Sequence, residues 1–142
     1  MSKIGRMFSV GFALLVFIGS SISAEVQVRK VSFRGWEEAL ELSNGDTRVV
    51  IVPSIGRIMH YGLSDGPNIL WVNPEFEGVG GIEKPRAAEG PVEWSNFGGD
   101  KVWPTPEALF PSVNGRAWPP DHFIDGSRYS SQILENAIEI QS

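Results

Sequence analysis

The sequence predicts an all-β protein, an antiparallel β-sandwich, and three observations carry that expectation. Between residues 26 and 72, β-branched and aromatic residues alternate with polar ones, the period-2 pattern of strands with one buried face. Turn residues interrupt the pattern at intervals of about ten residues, a spacing typical of sandwiches and barrels. Asn44-Gly45 stands between two apolar runs, the strongest short-range signal for a β-hairpin.

The elements follow in order. The first strand is expected over residues 26–36, where Val26, Val28, Val31 and Phe33 recur. Residues 37–42 have the propensity of a short helical turn, but Asn44-Gly45 follows directly, and this favours a strand over residues 39–43. A type I′ turn at Asn44-Gly45 would place both residues at positive φ. Thr47–Val52 reads as the return strand, continuous and β-branched, hence buried on both faces. Pro53 to Gly56 ends it and Arg57–Leu63 is the next strand. After a turn at Ser64 to Asn68, residues 69–72 form a fifth. From Asn73 to Pro91 glycine becomes frequent and the apolar period vanishes, so a long excursion is expected. Residues 130–142 read as a further strand or a short helix, and Ile133, Ile138 and Ile140 require a partner sheet.

The N-terminus has the form of a secretory signal peptide. Lys3 and Arg6 precede an apolar run from Met7 to Ile18, and Gly19 to Ala24 is a small-residue cleavage region. The apolar run is short for a membrane span. The expected organisation is a signal peptide at residues 1–24 and one domain over 25–142, secreted or periplasmic and free of the membrane after cleavage. There is no cysteine, so stability must rest on the hydrophobic core. The formal charge is −5. Removing the leader leaves ten basic and seventeen acidic residues, and no basic stripe invites nucleic acid as a partner.

Several chemistries have little support. Gly78-Val79-Gly80-Gly81 lacks the Gly-Lys-Ser/Thr ending and the βαβ context of a phosphate loop. No Gly-x-Ser-x-Gly elbow is present. His60 and His122 are the only histidines. Asp121, His122 and Asp125 are the one grouping suited to an ion, without the spacing of a known metal site. Neither a metal nor a cofactor is expected.

The chemistry-bearing stretch runs from Trp94 to Tyr129. It holds three of the five tryptophans, Trp94, Trp103 and Trp118, interleaved with Asp100, Lys101, Asp121, His122 and Asp125. Its prolines remove backbone donors and its glycines leave the backbone unrestrained, so ordered loops are expected. Aromatic faces beside carboxylates suit a ligand that is both apolar and hydroxyl-rich, such as a sugar ring. Trp94, Trp103 and Trp118 would stack on it. Arg57, Asp100, Lys101 and Asp121 would bond its hydroxyls. Anomer interconversion needs an acid for the ring oxygen and a base for the anomeric hydroxyl. His122 is the candidate catalytic group, because a histidine titrates near neutrality. His60, alternating with Ile58 and Gly62, reads as structural. A rigid Trp/Pro loop packed over a β-core is the purely architectural alternative.

The ordered motifs Leu42-Ser43-Asn44-Gly45, Val49-Val50-Ile51-Val52-Pro53-Ser54-Ile55-Gly56-Arg57-Ile58 and Leu70-Trp71-Val72-Asn73-Pro74 resemble the opening of bacterial DUF4380 proteins. Asn96-Phe97-Gly98-Gly99-Asp100-Lys101-Val102-Trp103-Pro104-Thr105-Pro106 and Trp118-Pro119-Pro120-Asp121 resemble that family's inner motifs. Ile55 departs from it, standing where a Gly-Gly pair usually begins. The resemblance implies a galactose-mutarotase-like supersandwich that binds carbohydrate. It implies that residues 25–142 are the N-terminal part of such a domain, incomplete in this chain, since the related domains are longer and take their catalytic glutamate from the C-terminal half. Sugar binding, epimerase or mutarotase activity, and a non-catalytic remnant are the three functional expectations.

Overall fold

The computed structural model describes residues 24–81, 94–104, 106–113, 115–121 and 123–142. The expected leader up to residue 23, the later part of the glycine-rich excursion and His122 lie outside the described residues. No described helix is long and apolar enough to cross a membrane.

Antiparallel β-structure dominates, in agreement with the expected all-β class. Strands β1 (Gln27–Phe33), β2 (Trp36–Ser43), β3 (Thr47–Val52) and β4 (Arg57–Leu63) form one four-stranded meander in chain order. Strands β5 (Ser130–Ile133) and β6 (Ile138–Gln141) form a separate two-stranded sheet. The only α-helix among the described residues is one turn, α1 (Phe110–Val113), continuing a 3-10 turn at Glu107–Leu109.

Alternation dictates the register. β2 pairs with β3 so that Leu40 faces Ile51 and Glu41 faces Val50, while Val50 faces His60 on β4. Residues that pair in register share a face. One face therefore carries Ala39 and Val50, and these join Phe33, Trp36, Val52, Ile55, Met59, Val72 and Phe97 in the core. Leu40 and Ile51 are buried on the opposite face, so the second half of β3 is covered on both sides, as its unbroken apolar run suggests. Glu41 sits in the row of Ala39, buried at 1% exposure. It is retained because Arg29 and Arg48 donate to its two oxygens at 2.8 and 2.5 Å. Burial alone would raise the Glu41 pKa; these two guanidinium groups outweigh it and hold the carboxyl below its ordinary range.

Four details differ from the sequence reading. The first strand ends at Phe33, because Arg34 and Gly35 form a tight turn with φ of 47° and 87° and Phe33 pairs with Trp36. Positive φ at both central residues is the type I′ requirement, so that turn lies here and not at Asn44-Gly45. At the second hairpin Asn44 acts through its side chain instead: Oδ1 accepts from the amides of Asp46 and Thr47 at 3.1 and 2.8 Å. This is an Asx turn in a wider loop, with only Gly45 at positive φ. The fifth strand expected at 69–72 is a single bridge, Val72 to Gly98. Asn68 occupies the neighbouring edge of β4, accepting from the amides of Tyr61 and Leu70 and donating to the Met59 carbonyl. Residues 130–142 form a hairpin, not one strand or a helix.

Candidate functional site

The site grows from the start of β4. Arg57 stands opposite Val52 on the core face, next to the 3-10 turn Pro53–Ile55 that ends β3. An arginine buried at 3% exposure needs its donors satisfied. Nη1 donates to the Gly98 carbonyl at 2.8 Å, and Nη2 donates to Asp125 Oδ1. The guanidinium also lies over the Phe97 ring, 5.7 Å from its centroid. Burial pushes the Arg57 pKa down and Asp125 opposes that shift.

The segment from Phe97 to Asp100 is fastened to the sheet by its backbone. Gly99 N donates to the Trp71 carbonyl at 2.8 Å, and Asp100 N donates to the Ile58 carbonyl at 3.0 Å. Asp100 Oδ1 returns the bond, accepting from the Ile58 amide at 2.6 Å. The two glycines are required here. Gly98 and Gly99 have φ of 84° and 70°, and a Cβ at either would lie 2.3 Å from the Trp71 oxygen or 2.4 Å from the Ile58 oxygen.

The segment after Trp118 delivers the counter-charge. Trp118-Pro119 is a cis peptide, and Pro119 and Pro120 are buried. Asp121 organises the following turn: Oδ1 accepts from the Phe123 amide at 2.8 Å, and its carbonyl accepts from the amides of Ile124 and Asp125. Asp125, 5% exposed, thereby reaches Arg57 with one oxygen. Its other oxygen accepts from Trp94 Nε1 at 2.7 Å. Tyr129 closes this side, its amide donating to the Pro53 carbonyl and its hydroxyl to the Ile124 carbonyl, each at 2.8 Å.

The three tryptophans meet above this ion pair. Centroids of Trp94 and Trp118 are 5.2 Å apart, those of Trp103 and Trp118 5.8 Å, and those of Trp94 and Trp103 6.4 Å. Interplanar angles of 66° to 83° make all three contacts edge-to-face, the arrangement aromatic quadrupoles favour. Lys101 Nζ lies 4.9 Å from the Trp94 centroid and 5.2 Å from that of Trp103. Burial pushes the Lys101 pKa down, and Arg57 adds to that. Trp118 is 51% exposed and presents ring surface to solvent. The indole N–H of Trp103 is buried without an acceptor among the described residues.

Seven of the eight candidate residues are thus placed. Trp94, Trp103, Trp118 and Lys101 come together as one cluster. Arg57 is committed to Gly98 and Asp125, Asp100 to Ile58, and Asp121 to the turn beneath. His122 lies outside the described residues. Asp125 is the central residue absent from the candidates. Its position within the aromatic stretch gave a signal, but its partners Arg57 and Trp94 are 68 and 31 residues away. Among the described residues no group of three acidic, histidine or cysteine side chains is placed to hold a metal.

Fold and site together define an all-β protein whose first sheet carries a tryptophan cluster anchored on a buried Arg–Asp pair. No family model matches the chain, and neither a curated protein nor a solved structure matches it.

Proposed function

We propose that this is an exported carbohydrate-binding protein of the galactose-mutarotase-like class, holding a sugar ring against its tryptophan cluster. The observation that carries the reading is Trp118: half its surface is open while its edges are braced by Trp94 and Trp103. A braced, open indole offers a flat apolar face at little cost in side-chain entropy, which suits the C–H face of a pyranose. Lys101, over the rings of Trp94 and Trp103, supplies hydrogen-bond donors for the ring's oxygens.

Binding is favoured over turnover because the carboxylates near the cluster are engaged by internal partners. Asp100, Asp121 and Asp125 each accept bonds from backbone amides, a guanidinium or an indole. Carboxylates committed to these internal partners are occupied in holding the loops together. The reading is tested by titrating the purified protein with a panel of hexoses and following tryptophan fluorescence. Saturable quenching that weakens roughly five- to twelvefold in Trp118→Ala is expected, since one stacked ring contributes on the order of 1–1.5 kcal/mol. Unchanged affinity in that variant would remove the stacking surface from the proposal.

A further inference from the structure

Lys101 is the cation in contact with the tryptophan cluster. Arg29, Lys30, Arg34, Arg48 and Arg57 each pair with a carboxylate. Among the described residues no carboxylate pairs with Lys101; its ammonium rests over two indole faces. The charged groups that act on it are Arg57 and, in the opposite sense, Asp125. Those two are each other's partners in the buried pair below. Lys101 thus places a positive charge in the cluster that holds the exposed Trp118, on a protein whose formal charge is −5. Trp103 connects the two: its centroid is 5.8 Å from that of Trp118 and 5.2 Å from the ammonium. Its own N–H is a second donor without an acceptor among the described residues.

From this juxtaposition we infer that the sugar taken by the tryptophan cluster is acidic, a uronic acid or a chain of them, with its carboxylate on Lys101 Nζ and its ring on Trp118. The inference rests on the sugar-binding reading above. A carboxylate accepting from an ammonium is a charge-assisted bond, roughly twice as strong as the neutral bond a hydroxymethyl group would make at the same place. Cation–π contact holds the ammonium at the site before the ligand arrives, which lowers the ordering cost of binding.

The experiment is a matched titration of the purified protein with glucose against glucuronate and galactose against galacturonate, read by tryptophan fluorescence at low and high salt. The acidic member of each pair is expected to bind roughly tenfold more tightly at low salt, with the advantage shrinking as salt is added. Lys101→Met should bring the acidic sugar down to the level of its neutral partner, and Lys101→Arg should preserve most of the preference. Equal binding of both members by the unaltered protein overturns the acidic-sugar inference and leaves the sugar reading intact. A preference that survives in Lys101→Met also overturns it. Binding of neither sugar type overturns both readings at once.

Discussion

Asp125 and Arg57 show what one buried pair can organise. Each is almost wholly withdrawn from water, so neither tolerates loss of the other. Asp125→Ala would strand the guanidinium and release Trp94 Nε1, and we expect a loss of about 3–5 kcal/mol in urea unfolding. That is a large share of the total stability of a small domain. His60 sets a second residue-scale expectation. It is 6% exposed, meets the Phe33 ring edge-on, and its Nε2 has no partner among the described residues. Burial first, then Arg48 and Arg34, push its pKa down, with Glu41 opposing. The unfolded chain therefore takes up this proton more readily than the folded one. His60's contribution is complete above about pH 6.5 and is lost as pH falls below it toward the lowered folded value. Melting temperatures between about pH 5 and 8 should fall on the acid side, and His60→Gln should flatten that slope.

At the level of elements, the attachment of the Phe97–Asp100 segment matters more than any strand end. It lies against β4 by bonds to Ile58 and against residue 71 by a bond to its carbonyl, and both approaches depend on the absence of a Cβ. Gly99→Ala is expected to cost on the order of 1–3 kcal/mol for the positive φ, with added cost for the close contact. Because Lys101 and Trp103 follow directly, the same variant should weaken any sugar titration more than its global stability loss explains. Urea unfolding and fluorescence titration on one preparation compare the two effects. The hairpins follow local chemistry only in part. Asn44-Gly45 announced a turn and a turn is there, yet the tighter one formed at Arg34-Gly35. An arginine at φ 47° is not a residue local propensity would choose. Its bond to Glu77 and its place over the Phe33 ring are contacts that only the folded chain supplies.

Across the whole molecule, burial is uneven. The core gathers on the four-stranded sheet and on Phe97, while all four residues of β5 are exposed. An isolated two-stranded sheet is marginal in water. Hydrogen exchange followed by mass spectrometry should therefore protect peptides covering Val50 and Met59 most strongly, and peptides covering Ser130 to Gln141 least. Equal protection of the two sheets would show that the hairpin is held by more than its own pairing.

Sequence alone was sufficient for the all-β class, for β3 and β4 to the residue, and for gathering the aromatic candidates in one stretch. Those features are local: period-2 alternation, turn residues, and a composition hostile to helices. The sequence could not decide that residues 69–72 would stop at a single bridge, because edge pairing depends on which neighbour arrives, and Asn68 arrived first. Nor could it decide that Arg57 would turn inward to Asp125, leaving Lys101 as the open charge at the tryptophans. Charge pairing across 68 residues is set by how the segments pack around the sheet, and no local pattern encodes which cation is buried and which is left over the indoles.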